Sequence, residues 1–440
     1  MTTPESASHF PGAPKNVERP RALVVVTGSE LVRGERTDRN GPFLAAEALS
    51  HGLEPARITI VGDAPGELEA ALREGLEADA CLVSGGLGPT HDDRTVEFVA
   101  RAAGLELVVD EALEREIDSI SRAVAERLRR PYADFASSVT KQATRPAPAV
   151  SIGLAGTAPG LVLRAPTGCV VVILPGPPGE LRRLWPNALA SEPMRELLGR
   201  TRPPGRRVLR LFGVSESAVA RAFEEAGGDG DGVEATICAR EFEIHVDLVV
   251  EPGAEERGEA LEAGLAERLE QWLFARDERP VEELVLSLAD ARGLRLATAE
   301  SCTGGMVAAR LTDVPGSSTS FVGGVVAYAD EVKRSELDVS EELLAEYGAV
   351  SAEVAEAMAE GARRRLDADV AVSVTGIAGP DGATPEKPVG RVHLHAAGPD
   401  GSLVRMLDLP GERRQVRVRA TVTALHMLRA LLTGSRDESA

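Results

Sequence analysis

Short apolar runs alternate along the chain with longer stretches whose apolar positions recur every three or four residues. RALVVVTGSE (21–30) reads as a buried strand running into a turn, RNGPFLAAEALSHGL (39–53) as an amphipathic helix and ARITIVGD (56–63) as a second strand. Residues 66–77 read as another helix. ADACLVSGGLGPTHDD (78–93) reads as a third strand ending in a glycine-rich loop, followed by helix 94–104. VVVILPGPPGE (170–180) is a strand stopped by Pro175-Gly176-Pro177-Pro178. Such alternation predicts a parallel α/β sheet. Ligands of these sheets sit beyond the carboxyl ends of the strands.

A different order follows. RRVLRLFGV (206–214) predicts a strand, SESAVARAFEEAG (215–227) a helix, residues 232–251 two strands and residues 254–274 one long acidic helix. The β-α-β-β-α order has no basic GxxG clamp, and its loop AGGDGDG (226–232) is acidic, so this region reads as a spacer or interface module rather than an RNA binder. Alternation then resumes. Helix 280–293 precedes the short strand LRLA (294–297), and SFVGGVVAYAD (320–330) is a strand leading to EVKRSEL. Helix 351–366, strand and loop 369–382, strands 389–398 and 403–410 and a long helix over 411–432 complete the chain.

TAESCTGG (298–305) lies between strand 294–297 and MVAARLT (306–312), which reads as the start of a helix. Glycines there let backbone N–H groups approach a ligand. On the octapeptide alone, Ser301 reads first as a helix cap. As a nucleophile it needs a base. Lysine can lose its proton and arginine cannot, and the chain has only four lysines, at 15, 141, 333 and 387. Lys333, just past a buried strand and near Tyr328, is the base this reading selects. His393 and His395 alternate on one strand and read as one sheet face. Cys302 is the rival nucleophile and reads more simply as packing. Backbone N–H groups near Gly304 and Gly305 would then stabilise an oxyanion. TGIAGPDG (375–382) offers further donors, and Arg413 and Arg417 read either as phosphate ligands or as a solvated helix face. In the first region, Gly28-Ser29-Glu30 and the loop 84–90 lie at strand ends, with Asp92 and Asp93 placed to hold a divalent cation.

Composition narrows the partners. The 440 residues carry 69 acidic against 49 basic side chains, a formal net charge of −20. That argues against nucleic acid or an anionic membrane as a partner. Four cysteines at 81, 169, 238 and 302 form no CxxC and suit a reducing, cytoplasmic setting. Residues 1–20 are polar and proline-rich and read as a disordered tail. No apolar run has membrane-spanning length.

Two sets of motifs, taken in order, resemble one family. GSELVRG (28–34), Asn40, SGGLGPTHDD (84–93), KQA (141–143), GTAPG (156–160) and LPGPP (174–178) resemble the molybdopterin-binding-like N-terminal domain of the CinA (competence/damage-inducible) family. TAESCTGG, YADEVK (328–333), AVS (349–351), TGIAGPDG, EKPVG (386–390) and GERRQVR (411–417) resemble its C-terminal nicotinamide-nucleotide amidase domain. The resemblance implies two three-layer α/β/α domains, over 21–200 and 281–434, joined by a small KH-like α+β domain over 201–280. It implies that Ser301 and Lys333, with Tyr328, hydrolyse nicotinamide mononucleotide (NMN) without a cofactor. Thr303, Gly304, Gly305, Thr375, Gly376, Gly379, Arg413 and Arg417 would bind that substrate. In the first domain it implies metal-dependent hydrolysis of ADP-ribose, with Asp92 and Asp93 on the metal. Gly28, Glu30, Asn40, Gly85, Gly86, Gly88, Thr90, Lys141, Thr157 and Gly176 would hold the nucleotide. The family has asparagine where Val139 stands, which predicts weak hydrolysis with binding retained. A homodimer is also implied. The alternative is a non-catalytic competence or DNA-damage accessory protein.

Overall fold

The computed structural model describes residues 19–434, so the expected tail lies outside the described residues apart from Arg19 and Pro20. The chain is α/β and forms two compact units, one ending at residue 205 and including 251–253, the other holding 206–250 and 254 onward.

The first unit is built on a six-stranded sheet in the order Glu54–Val61, Arg21–Thr27, Ala80–Ser84, Val170–Leu174, Pro159–Arg164, Val150–Leu154. The first four strands are mutually parallel and the last two run antiparallel. Strand side chains alternate faces, and the core divides accordingly. Ala22, Val24 and Val26 pack with helices Asn40–Ser50 and Pro178–Ala190, while Val25, Cys81 and Val83 pack with Pro65–Gly75 and Thr95–Ala103. The sheet is therefore covered on both faces, which is why its strands read as continuous apolar runs. Helices Glu111–Leu128 and Ala133–Gln142 form a lateral pair. Val139 is buried there against Leu113, Ile117 and Ala143, so the departure from the family pattern falls at a packing position.

The second unit begins with a four-stranded sheet in the order Val233–Arg240, Glu243–Val250, Gly205–Phe212, Leu273–Ala275. The long helix read over 254–274 is shorter. It spans Glu255–Arg268, and Leu273–Ala275 is a strand paired antiparallel with Gly205–Phe212. The Trp272 carbonyl accepts from Phe212 N–H at 2.9 Å, which draws the chain out of the helix onto the sheet edge. The order is thus β-α-β-β-α-β.

The rest of this unit is a five-stranded sheet, Phe321–Val326, Leu296–Glu300, Val370–Gly376, Arg391–Gly398, Gly401–Asp408. The first three strands are parallel and the last two antiparallel. Leu296, Val370, Val372 and Val374 pack with helices Val281–Ala291, Met306–Thr312 and Arg413–Thr433. Ala297, Ala299 and Ala371 pack with Asp330–Leu337 and Ala352–Leu366 on the other face. The buried Glu243 carboxylate accepts from His426 at 2.7 Å and lies 3.3 Å from His245, joining the small sheet to the last helix. Burial works against its charge, yet these hydrogen bonds hold its pKa at about 2.

Candidate functional site

Strand Leu296–Glu300 is three residues longer at its carboxyl end than the apolar run suggested, so the turn starts at Ser301. In the parallel register Glu300 lies opposite Val326 on one side and Val374 on the other. Ser301 therefore leaves the sheet between two neighbouring strand ends. One continues into Tyr328 and helix Asp330–Leu337, the other into the loop after Gly376. Ser301 N–H donates to the Val374 carbonyl at 2.8 Å and Ala327 N–H to the Glu300 carbonyl at 2.8 Å, which locks the three ends together.

Ser301 does not cap the helix. That task belongs to Glu300, which the sequence reading left unassigned. Its carboxylate, 1% exposed, accepts from Gly305 N–H at 2.9 Å, Val307 N–H at 3.1 Å and Ala308 N–H at 2.9 Å. A carboxylate on these donors complements the helix N-terminus and fixes the turn. Gly304 and Gly305 have φ of 62° and 94°, a conformation that favours glycine. Gly304 N–H donates to the Ser301 carbonyl at 3.1 Å. The N–H groups of Gly304 and Gly305 themselves are thus already engaged.

Lys333 sits in the first turn of its helix, 1% exposed. Its Nζ donates to the Asp330 carboxylate at 3.1 Å and the Tyr328 carbonyl at 3.4 Å. The Tyr328 side chain is 60% exposed and its hydroxyl accepts from Arg413 Nη2 at 2.9 Å. Arg413 Nη1 donates to the Gly379 carbonyl at 2.7 Å. Arg417 donates from Nε to the Cys302 carbonyl at 3.0 Å and from Nη2 to the Thr303 carbonyl at 2.7 Å. Thr375 Oγ1 is engaged with the Ala349 carbonyl at 2.7 Å. At Gly376 a Cβ would come within 2.8 Å of the Arg391 carbonyl, so that glycine answers to packing. Thr303 Oγ1 is buried and has no hydrogen-bond partner among the described residues. Burial pushes the Cys302 thiol up to about 12, which keeps it a neutral core side chain. Burial also lowers the pKa of His393 and of His395.

The first unit has a separate cleft of about 850 Å³ at the carboxyl ends of its parallel strands. Gly28, Glu30, Asn40, Gly85, Gly86, Gly88, Asp92, Asp93, Thr157 and Gly176 line it, whereas Thr90 and Lys141 do not. Lys141 donates instead to the Thr90 carbonyl. Asn40 Nδ2 donates to Ser84 Oγ at 2.9 Å and the Gly176 carbonyl at 2.7 Å, tying two loops together. Thr90 Oγ1 donates to Asp92 and, at 2.5 Å, to Asp93. The hydrogen bond from Thr90 holds the Asp92 carboxyl below its ordinary range. Among the described residues no group of three or more His, Cys, Asp or Glu side chains gathers in a metal-holding arrangement. Asp92 and Asp93 each keep one oxygen not bonded to Thr90, and these are the atoms that could meet a divalent ion brought in with substrate phosphates. The cleft also holds Asp63 and Glu180, which sequence reasoning passed over. Asp63 accepts from Ser29 Oγ at 2.6 Å and Thr27 Oγ1 at 3.0 Å, and burial raises the Glu180 pKa. Their only sequence signals were an acidic residue just past a strand end and one closing the LPGPPGE turn.

Residues 278–432 match the CinA C-terminal domain, and residues 23–194 match a probable molybdopterin binding domain. A CinA-like protein of Mycolicibacterium vanbaalenii is 44% identical over 423 residues, covering 94% of this chain and 99% of that protein. The chain belongs to the CinA family. A CinA-like protein of Mycobacterium tuberculosis is 43% identical over 426 residues, covering 94% and 98%. A crystal structure of the competence/damage inducible protein CihA from Agrobacterium tumefaciens aligns with 36% of this chain and 99% of its own, at 42% identity and a TM-score of 0.34. Within this CinA chain no helix of the described residues is long and apolar enough to cross a membrane.

Proposed function

We propose that the second unit is an amidase that hydrolyses the carboxamide of NMN to nicotinate mononucleotide and ammonia. One observation carries this reading. Ser301 follows the carboxyl end of strand Leu296–Glu300, and the buried Lys333 lies in the first turn of the helix that follows the neighbouring parallel strand Phe321–Val326. Ser301 Oγ attacks the amide carbon while its proton passes to Lys333 Nζ, and the carbonyl electron pair moves onto oxygen. The tetrahedral species collapses, the C–N bond breaks, and Lys333 returns the proton to the departing ammonia. Water then attacks the acyl-serine and releases the acid. Asp330 and the Tyr328 carbonyl aim Nζ. Arg413, joined to Tyr328 and Gly379, is the cation proposed to bind the nucleotide's phosphate. No cofactor takes part.

The acidic cleft of the first unit favours a second reading for that unit, hydrolysis of ADP-ribose. Asp92 and Asp93 would hold a divalent ion, which supplies charge neutralisation at the phosphates. The glycine loop 85–88 gives the pyrophosphate close access to backbone. We propose further that the protein works as a homodimer in the cytoplasm on small nucleotides, without nucleic acid. Incubation of the full chain with NMN in excess EDTA tests the first reading. Stoichiometric ammonia and nicotinate mononucleotide support it, and unchanged NMN refutes it.

A further inference from the structure

We propose that the tip of the hairpin joining strands Val233–Arg240 and Glu243–Val250 is a positioning device for the serine turn, acting through Glu241, Phe242 and Glu243 on two helices attached to that turn. The inference rests on the amidase reading. It gives the small sheet, read from the sequence as a spacer or interface module, a part in that chemistry.

The backbone of the tip is the first sign. Arg240 pairs with Glu243 across the hairpin, which leaves a two-residue loop. Glu241 and Phe242 have φ of 49° and 76°, and positive φ at both positions is what a type I′ loop requires. Asn-Gly makes that turn readily, whereas long or bulky side chains at positive φ are strained. Strain of this kind persists only where the surroundings hold it.

The surroundings that hold it belong to the amidase fold. The Glu241 carboxylate accepts from Arg310 Nη1 at 3.2 Å, and Arg310 also donates to the buried Glu282 at 3.1 and 2.7 Å. The Phe242 ring stands edge-on to Phe212 at 5.9 Å, and the Arg419 guanidinium lies 5.6 Å from its centroid. Glu243 accepts from His426 at 2.7 Å, and that imidazole stacks on Phe212 with ring centroids 3.8 Å apart. Three consecutive residues thus grip helix Met306–Thr312 through Arg310, and helix Arg413–Thr433 through Arg419 and His426.

The same two helices carry the serine turn. Helix Arg413–Thr433 bears Arg417, which holds the Cys302 and Thr303 carbonyls. Helix Met306–Thr312 begins on the Glu300 carboxylate, which accepts from Val307 and Ala308 N–H. At seven residues it is too short to be stable by itself. Its first turn is fixed by Glu300, and its last turn by Arg310 between Glu282 and Glu241. The Glu241 side chain is 63% exposed, and a pair so exposed adds little stability. What the pair supplies is a fixed direction for the helix, and through Glu300 for the turn.

The test replaces the tip in the full chain by the pair that favours its turn, Glu241→Asn with Phe242→Gly. The loop is kept and the grip of both side chains is lost. Displacement of a reacting group by about 1 Å costs about 10²-fold in rate. The proposal expects kcat for ammonia release from NMN to fall at least about tenfold toward that limit, with little change in KM. Glu241→Asn alone, which frees only Arg310, should give a smaller fall in the same direction. Amide hydrogen exchange over residues 301–312 needs no substrate and should accelerate in the double variant. Wild-type kcat with unchanged exchange overturns the proposal. So does a lower urea midpoint with wild-type kcat, which would make the tip a structural contact alone, and so does a raised KM with unchanged kcat. If wild type releases no ammonia from NMN, the amidase reading fails, and the exchange result still decides whether the tip holds the turn.

Discussion

The cleft of the first unit and the serine turn of the second occupy the same place in two similar sheets, yet they are built in opposite ways. Both lie at the carboxyl ends of parallel strands, where side chains from separate loops converge. The cleft is wide, about 850 Å³, and is shaped by glycines and rimmed by carboxylates. At Gly86 a Cβ would stand 2.1 Å from Thr95 Oγ1, and at Gly88 one would stand 2.4 Å from Asp93 Oδ2, so the loop exists by the absence of side chains. The serine turn is the reverse. Its shape comes from polar side chains that satisfy the backbone, above all the buried Glu300 and the half-buried Arg417. The first arrangement suits a large anionic ligand carried in with a cation. The second suits one acyl transfer at a fixed serine.

The comparison is broken most sharply at Lys333. If the serine turn performs proton transfer, Lys333→Arg keeps the charge but removes the base, and turnover should fall by about 10²–10⁴-fold, as for Lys333→Ala. Steady-state ammonia release checks this, and near-normal turnover in Lys333→Arg would reduce Lys333 to an electrostatic anchor. Glu300→Ala leaves three backbone N–H groups without their acceptor. It should destabilise the second unit by about 3 kcal/mol, read as a lower midpoint in urea. A midpoint equal to wild type would show that the carboxylate does not set the turn.

Smaller effects separate the cleft. Gly86 has φ of 66° and no room for a Cβ. Gly86→Ala should cost about 1–2 kcal/mol and weaken ADP-ribose binding by calorimetry while ammonia release is untouched. Loss of ammonia release in that variant would mean the two sites are not independent. The smallest effect is expected at Cys302. With its pKa pushed up to about 12, the neutral thiol persists below that pH and thiolate forms only above it. Iodoacetamide labelling at pH 7 to 9 should be slow, and Cys302→Ala should keep most of the activity. Rapid labelling with loss of turnover would restore Cys302 as the rival nucleophile.

Much of this was legible in the sequence because it rests on local patterns. Runs such as LVVV (23–26) and VVVIL (170–174) announce strands buried on both faces, and the helix after the serine turn begins at Met306, where the sequence placed its start. Ser301, Lys333, Tyr328, Gly379 and Arg413 were named from motifs, and the fold joins Arg413 to Tyr328 and Gly379 and sets Lys333 Nζ against the Tyr328 carbonyl. What escaped depended on partners distant in sequence or on groups that look ordinary there. Glu300 resembles any acid before a turn until its three N–H donors are seen. Arg417 reads as a solvated face because nothing local shows that it reaches back 115 residues to a carbonyl. The strand 273–275 was hidden because Trp272 and Leu273 continue a helical spacing while their backbone pairs with a strand some sixty residues earlier.

The central claim is that ammonia release depends on Ser301 and on no group of the first unit. The most direct measurement follows wild type and Ser301→Ala on NMN and on ADP-ribose, with and without EDTA. The account predicts that Ser301→Ala releases no ammonia while its metal-dependent ADP-ribose hydrolysis equals wild type's, and that EDTA leaves wild-type ammonia release intact. Ammonia release by Ser301→Ala at the wild-type rate would contradict it.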